Sequence, residues 1–322
     1  MQFNTKVEMK EFGFNSTAQA PAFAAGHKWM QYVAPTKKYF FRIGLVQPFM
    51  NWLYAPFGDS CMLLGPTGSG KSSLVEQITA QLNWPCLTVS AHSRMEMPEL
   101  TGYNLPVTDP VSGDLNTKFV DGPLTLAMRN GFVFVLDEYD TLDPAVTVGL
   151  HAVMEGRPLV IAENNGEVIH AHPNFRFVAC GNTAGQGDET GGYAATMQQN
   201  LASLDRFRVF EVPYLDADNE VATLVAALPM LPEELAQKMV KVATSIRSQH
   251  QGIGGNYLSV TMSTRTLLRW GRISCGYTHV GAANPMQQAL QESLLNRCDR
   301  VQRTAISKIA ESVFGGDWMK AV

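Results

Sequence analysis

Short apolar runs alternate with segments of helical spacing between residues 46 and 213. Strands of a parallel sheet that is covered on both faces are near-continuous apolar runs, and they take turns with helices along the chain. The pattern therefore predicts an α/β domain over 46–213, with a parallel five-stranded sheet and helices on both of its faces. The predicted strands are residues 61–64, 86–91, 132–136, 175–180 and 207–212.

The chain has a different pattern on either side of this domain. Strand signals nearly vanish after residue 214, which predicts a small all-α lid domain over 214–322. Residues 1–45 lack a sustained period, so we expect an N-terminal extension that lies on the main body or on a neighbouring chain. The predicted helical stretches of the lid are 219–228, 232–249, 263–275 and 285–314, with a glycine break at 252–255.

Two insertions interrupt the alternation of strands and helices. Residues 101–122 carry a turn at 110–113 between short extended pieces, and residues 157–173 alternate around Asn164-Asn165-Gly166. Because Asn-Gly is a strong hairpin signal, we expect two β-hairpins. They can be plain surface loops, but connections on a rigid core are often the parts that move or touch a substrate.

The sequence GPTGSGKS at residues 65–72 follows the first predicted strand and opens a predicted helix. Such glycines permit a tight turn whose N–H groups point at phosphate oxygens, and the helix N-terminus adds its positive dipole. The lysine then meets the β- and γ-phosphates, and the next hydroxyl ligates Mg²⁺. An accidental match is the alternative, but the strand and helix around the loop favour a site for ATP with Mg²⁺. The predicted binding residues are Gly65, Pro66, Thr67, Gly68, Ser69, Gly70, Lys71, Ser72 and Ser73.

Asp137 and Glu138 directly follow the apolar run at 132–136. A carboxylate at the end of a buried strand can hold the Mg²⁺ shell, and the adjacent one can polarise the attacking water. An Asp-Glu pair is commonly a solvated turn, yet here it follows both a buried strand and a phosphate loop. We therefore predict that Asp137 binds the metal and that Glu138 is the general base.

Composition limits the classes of protein that remain. No apolar run of the 322 residues approaches the about 20 needed to span a bilayer, and there is no signal-peptide pattern. None of the five cysteines forms a CxxC pair, which agrees with a cytoplasmic location. The net charge of −4, without a run of lysine or arginine, argues against nucleic acid as the partner.

The order of these motifs resembles that of the MoxR group of AAA+ ATPases. After the phosphate loop and the Asp-Glu pair come CGN at 180–182, LDRF at 204–207 and STR at 263–265. The two insertions occupy the positions of that group's helix-2 and pre-sensor-1 inserts. Within the group the chain is similar to the CobS-type ATPase subunits of aerobic cobaltochelatase, most specifically in LDEYD at 136–140, GDETGGYAATMQQN at 187–200 and LLNRCDRVQRT at 294–304. Rubisco-activase-type relatives share segments like DGPL at 121–124 and GEVIHAHPNF at 166–175, so that subgroup stays open.

The resemblance implies roles for four further positions. Asn182 corresponds to sensor 1, which orients the hydrolytic water, and Arg265 corresponds to sensor 2, which reaches the γ-phosphate. Arg206 corresponds to the arginine finger that enters a neighbouring subunit's site, with Arg208 as its rival; such fingers contribute about 10³- to 10⁵-fold in rate. One departure concerns Thr264, because the group usually has Ser-Pro-Arg where this chain has Ser-Thr-Arg, and proline would preset φ.

A finger that acts in trans requires a homo-oligomer, and the resemblance implies a hexameric ring with a von Willebrand A-domain protein as partner. The first interpretation is a motor subunit that remodels a partner complex, such as one that inserts cobalt into a corrinoid. The second is an activase or chaperone of the rubisco-activase-like type that acts on a protein. A ring that uses nucleotide mainly as a structural switch, and a DNA translocase, are the remaining alternatives.

Overall fold

The computed structural model describes residues 2–108, 113–183, 196–253, 257–315 and 318. They form two compact units: the first contains 1–37, 41–65 and 71–212, and the second contains 38–40, 66–70 and 213–322. Three sequence features lie wholly or partly outside the described residues: the turn at 110–113, the GDETGGY stretch at 187–193 and the glycine break at 252–255.

The first unit is built on a five-stranded parallel sheet, as the apolar runs predict. Its strands are β3 Ser60–Leu64, β4 Cys86–Ser90, β7 Val133–Asp137, β10 Arg176–Gly181 and β11 Phe207–Glu211. Their order from edge to edge is β11, β3, β10, β7 and β4. Almost every residue of the three interior strands β3, β10 and β7 is buried, which explains their apolar runs.

Two antiparallel hairpins interrupt this sheet where the sequence predicts them. The first joins β5 Gly102–Thr108 to β6 Leu115–Asp121, and the second joins β8 Leu159–Ile161 to β9 Glu167–Ile169. Asn165 and Gly166, the last two residues of the connection 162–166 between β8 and β9, both have positive φ, 55° and 71°, a conformation that asparagine and glycine tolerate better than most residues. The structure therefore confirms the hairpin prediction for both insertions.

The N-terminal segment packs against the rest of the first unit. A small hairpin of β1 Thr5–Glu8 and β2 Gln19–Ala22 leads into Phe23, whose ring lies 5.6 Å from that of Trp84. The backbone N–H of Phe23 also donates to the carbonyl of Leu82 at 3.0 Å. The helices of the first unit are α1 Ile43–Tyr54, α2 Lys71–Gln81, α3 Met97–Thr101, α4 Pro123–Asn130, α5 Pro144–Gly149, α6 His151–Met154 and α7 Leu201–Leu204.

The part of the second unit beyond residue 213 is helical wherever the structure describes regular secondary structure. Its apolar core surrounds the fully buried Trp270, whose indole N–H donates to the carbonyl of Met286 at 2.9 Å. The helix limits are α8 Ala217–Ala227, α9 Glu233–His250, α10 Thr264–His279, α11 Pro285–Ser293 and α12 Arg300–Phe314.

One predicted helix is wrong in its continuity. The stretch 285–314 breaks after Ser293, and a new helix begins at Arg300. Asp299 caps that helix by accepting a hydrogen bond from the backbone N–H of Gln302 at 2.9 Å. None of the helices in the described ranges combines the length and the hydropathy that crossing a bilayer requires.

Candidate functional site

The carboxyl ends of three adjacent strands bring the candidate residues of the first unit together. Strand β10 lies between β3 and β7, with Gly181 level with Leu64 and Ala179 level with Leu136. The residues that follow these three strands therefore meet at one edge of the sheet. In an open α/β sheet, this edge is where ligands bind.

Ser72 and Asp137 meet at this edge. The Ser72 hydroxyl, in the first turn of α2, donates to Oδ2 of Asp137 at the end of β7 over 2.6 Å. Hydroxyl and carboxylate oxygens are the hard ligands that Mg²⁺ takes from proteins, alongside waters and substrate phosphates. The two oxygen atoms and the short distance between them therefore fit Mg²⁺, with one ligand from α2 and one from β7.

Lys71 is buried at the start of α2, with 8% of its surface exposed. Its Nζ donates to the carbonyl of Gly65 at 2.7 Å and to Oδ1 of Asn182 at 2.8 Å. Burial lowers the pKa of this ammonium group, and the acidic groups around it act in the opposite direction. A lysine ammonium group can bind phosphate oxygens as a point charge.

Glu138 leaves the sheet through a left-handed backbone conformation, with φ 55° and ψ 35°. One of its oxygens, Oε2, accepts a hydrogen bond from Nδ2 of Asn182 at 2.8 Å. Partial burial raises the pKa of this solvent-facing carboxyl, and the charges of Asp137 and Asp140 raise it further. Asn182 thus bridges Lys71 and Glu138 through the two ends of one amide.

Asp140 is a site residue that the sequence analysis does not single out. Its carboxylate is buried, and Oδ2 accepts from the backbone N–H groups of Asn182 at 2.8 Å and Thr183 at 2.9 Å. Its other oxygen, Oδ1, accepts no hydrogen bond within the described ranges. We use "carboxylate cluster" for Asp137, Glu138 and Asp140. The signal in the sequence for Asp140 is its place in LDEYD at 136–140, two residues after Glu138.

Residues 66–70 of the glycine loop belong to the second unit. The carbonyl of Thr67 accepts a hydrogen bond from the Tyr214 hydroxyl at 3.0 Å. Gly68 has φ +67°, and a Cβ placed on it would lie 2.7 Å from Cβ of Ser263. The loop therefore needs glycine at 68 both for its conformation and for this close approach.

Of the three candidate arginines, Arg206 and Arg208 lie apart from the contacts described so far, whereas the Cβ of Arg265 lies 3.5 Å from where a Cβ on Gly68 would be. Arg206 is ion-paired with Glu155 at 2.6 Å, and Arg208 is ion-paired with Asp59 at 2.8 Å. Arg265 is exposed near the start of α10 in the second unit. Their assignments as finger, rival finger and sensor 2 remain predictions.

Comparison with known proteins identifies the family. A family described as AAA domain (dynein-related subfamily) matches residues 60–198, and one described as CbbQ/NirQ/NorQ C-terminal matches residues 220–313. The aerobic cobaltochelatase subunit CobS of a Sinorhizobium species is 30% identical over 320 residues, which cover 97% of this chain and 91% of that protein. The chain belongs to the MoxR-type AAA+ ATPases.

Two further proteins are similar to this MoxR-type chain. Protein CbbQ of Hydrogenophilus thermoluteolus is 32% identical over 219 residues, which cover 66% of this chain and 73% of that protein. A mutant of RuvB from Thermotoga maritima, a solved structure, matches with 18% identity and a TM-score of 0.47, covering 80% of this chain and 71% of that one. The AAA domain implies nucleotide binding, and family membership supports ATPase activity in general.

Proposed function

We propose that this MoxR-type protein is an ATP-hydrolysing motor subunit that forms a ring and remodels a partner complex. The observation that carries the proposal is the hydrogen-bonded series Lys71, Asn182, Glu138, beside the contact between Ser72 and Asp137. A phosphate-binding cation, a candidate general base and a pair of metal ligands thus occupy one sheet edge. ATP hydrolysis needs these parts in this proximity.

Each residue has a distinct task in the proposed hydrolysis. The loop residues 65–70 and Lys71 bind the phosphates, while Ser72 and Asp137 hold Mg²⁺, which supplies charge neutralisation on the phosphate oxygens. Glu138 accepts the proton of the attacking water, and its raised pKa brings it nearer to the working pH of a general base. Asn182 holds the Glu138 carboxylate in place, and Asp140 holds the backbone of Asn182.

The ring is inferred from the arginine at the end of the 204–207 motif. As the proposed finger, Arg206 inserts into the neighbouring subunit's site, where it stabilises the charge of the transition state. In the single chain its guanidinium is bound to Glu155, so this ion pair must break before the finger can contact phosphate. Arg208 is the alternative finger, bound to Asp59 in the same way.

The partner complex follows from the relatives rather than from the site. The similarity to CobS favours a cobaltochelatase-type complex, in which ATP turnover drives cobalt insertion into a corrinoid. The alternative is an activase or chaperone that works with a von Willebrand A-domain protein, and it rests on the segments DGPL and GEVIHAHPNF that resemble rubisco-activase-type relatives. In both, the two hairpins are the parts proposed to transmit motion to the client.

Glu138→Gln tests the hydrolytic assignment. The amide cannot accept the proton, so we expect turnover to fall about 10²- to 10⁴-fold while ATP still binds. Glu163→Gln is the matched control, because this exposed glutamate in the turn between β8 and β9 loses the same charge away from the site. Equal turnover in the two variants would remove Glu138 from the role of base.

Mixing inactive variants tests the ring. Arg206→Ala subunits combined with Lys71→Ala subunits should recover part of the activity. A site that takes its lysine from the Arg206→Ala subunit and its finger from the Lys71→Ala subunit has both groups intact. Recovery with Arg208→Ala in place of Arg206→Ala would assign the finger to Arg208. Absence of recovery with either arginine variant would contradict a finger in trans.

Affinity capture on the Glu138→Gln protein with bound ATP tests the partner. Co-purification of the other cobaltochelatase components would support the first client. A von Willebrand A-domain protein without chelatase components would support the activase alternative.

A further inference from the structure

The second unit contains a buried ion pair for which the proposed hydrolysis has no direct use. Glu220 of α8 and Arg247 of α9 are 1% and 8% exposed, and they form two parallel hydrogen bonds of 2.7 and 2.8 Å. Desolvation of two charges largely offsets their attraction, so such a pair is weak evidence for stability. Its other contacts indicate what it holds in place.

Arg247 makes two further contacts that lead to the glycine loop and to α10. Its Nε donates to the carbonyl of Met262, just before α10, at 2.7 Å. Its guanidinium lies 4.1 Å from the ring centre of Tyr214, a cation–π contact. The hydroxyl of the same tyrosine donates to the carbonyl of Thr67 at 3.0 Å, so the arginine holds the ring that touches the loop.

Glu220 makes one further contact, with the first residue of α10. The Thr264 hydroxyl donates to Oε1 of Glu220 at 2.6 Å. Thr264 directly precedes Arg265, and Ser263 caps the helix by accepting from the N–H of Thr266 at 3.1 Å. The side chain of Ser263 is also the group that closely approaches Gly68. The backbone that carries Arg265 is therefore fixed by the same ion pair that holds Tyr214.

We propose that Thr264 and Tyr214 are positioning residues for ATP hydrolysis, which act through the Glu220–Arg247 pair. Thr264 fixes the backbone that carries Arg265, and Tyr214 fixes the loop at Thr67. This proposal rests on the proposed function, because it takes Arg265 as the residue that reaches the γ-phosphate.

The test compares Thr264→Val with Thr264→Ser, in the otherwise unchanged protein and in an Arg265→Ala background. Valine keeps the shape and removes the hydroxyl, so we expect kcat to fall about tenfold, as for a lost hydrogen bond to a charged group. Serine keeps the hydroxyl and should stay within about twofold of the original kcat. Thr304→Val is the matched control, because this threonine lies in α12 of the same unit and its hydroxyl bonds its own helix, at Arg300.

The Arg265→Ala background separates positioning from general damage. If Thr264 acts through Arg265, Thr264→Val should cause no further loss in that background. An equal loss in both backgrounds, or no loss in the first, would overturn the positioning role alone. Unchanged turnover in Arg265→Ala itself would overturn the assigned role of Arg265, and the positioning role with it. Thermal unfolding of each variant checks that the fold is kept.

Tyr214→Phe gives a second measurement that does not depend on Thr264. It removes the hydroxyl bound to Thr67 and keeps the ring beside Arg247, so we expect KM for ATP to rise about fivefold with kcat within about twofold. A KM equal to that of the unchanged protein would exclude Tyr214 as a positioning residue of the loop. A fall in kcat without a change in KM would exclude it as well.

Discussion

The two units hold their charged side chains in opposite ways. In the first unit the carboxylate cluster places three acidic groups around one buried lysine, and Glu138 keeps a solvent-facing side. In the second unit the Glu220–Arg247 pair is sealed from solvent, and each group is also bound to a neighbour. The first arrangement leaves charged groups that can bind a ligand, whereas both charged groups of the second already have partners within the protein. Replacing charges should therefore change turnover without loss of stability in the first unit, and should lower stability as well as turnover in the second.

Among the replacements that compare the two units, the largest effect is expected at Asp137. Asp137→Asn removes the negative charge from the proposed metal ligand, so turnover should fall about 10²- to 10³-fold. It also relieves repulsion within the carboxylate cluster, so the melting temperature should stay equal or rise, as is common at sites built for function. ATPase assays and thermal unfolding measure the two quantities.

Asp143→Asn is the matched control for this change. Asp143 caps α5 by accepting a hydrogen bond from the N–H of Ala145, and asparagine caps a helix equally well. The control should therefore retain both turnover and stability. A large loss of stability in Asp137→Asn would show that Asp137 supports the fold rather than a ligand.

In the second unit, Arg247→Ala should lower the free energy of unfolding. The change leaves Glu220 buried without its partner, which costs about 3–5 kcal/mol when one member of such a pair is removed. Hydrogen exchange of α9 and α10 amides should accelerate accordingly, because their local unfolding becomes easier.

Replacing both members with apolar residues, Glu220→Leu with Arg247→Met, sharpens this prediction. Stability should then largely recover, since such replacements are often neutral or stabilising. Turnover should stay low, because Thr264 and Tyr214 have lost their support. Recovery of turnover together with stability would contradict the positioning role of the pair.

Asp140→Asn is expected to change the pH dependence of turnover. Glu138 must be ionised to act as a base, so turnover falls as the pH drops through its raised pKa. Because the charge of Asp140 raises that pKa, removing it should move the acid limb to lower pH. Rates measured across the acid range check this shift, and Glu163→Gln should leave the limb unmoved. A shift to higher pH would contradict the electrostatic account.

Much of the fold follows from local sequence. The five strands are apolar runs that end abruptly at polar residues or glycine, and both hairpins have turn residues between two short extended pieces. The break between α11 and α12 is missed because Leu294 and Leu295 continue the helical apolar spacing. The signal that could have placed it is Asp299, a good N-cap followed by a helical stretch.

The candidate site residues also differ in whether local sequence predicts them. The loop and the Asp137-Glu138 pair are contiguous motifs, so the sequence alone predicts them. The position of Asn182 in the site depends on β10 lying between β3 and β7, which no local pattern encodes. Only the family resemblance predicts this residue. The Glu220–Arg247 pair spans two helices, and nothing in either segment marks the other as its partner.

The smallest effects are expected at the helix caps, where the two units should behave alike. Asp143 caps α5 in the first unit and Asp299 caps α12 in the second, each through one backbone N–H. Alanine at either position should cost about 1 kcal/mol of stability. Each cap lies outside the carboxylate cluster and the Glu220–Arg247 pair, so turnover at saturating ATP should stay unchanged in both variants. If Asp299→Ala lowered turnover as strongly as Thr264→Val, any loosening of the second unit would be enough to impair hydrolysis, and the contrast between the units would reduce to stability alone.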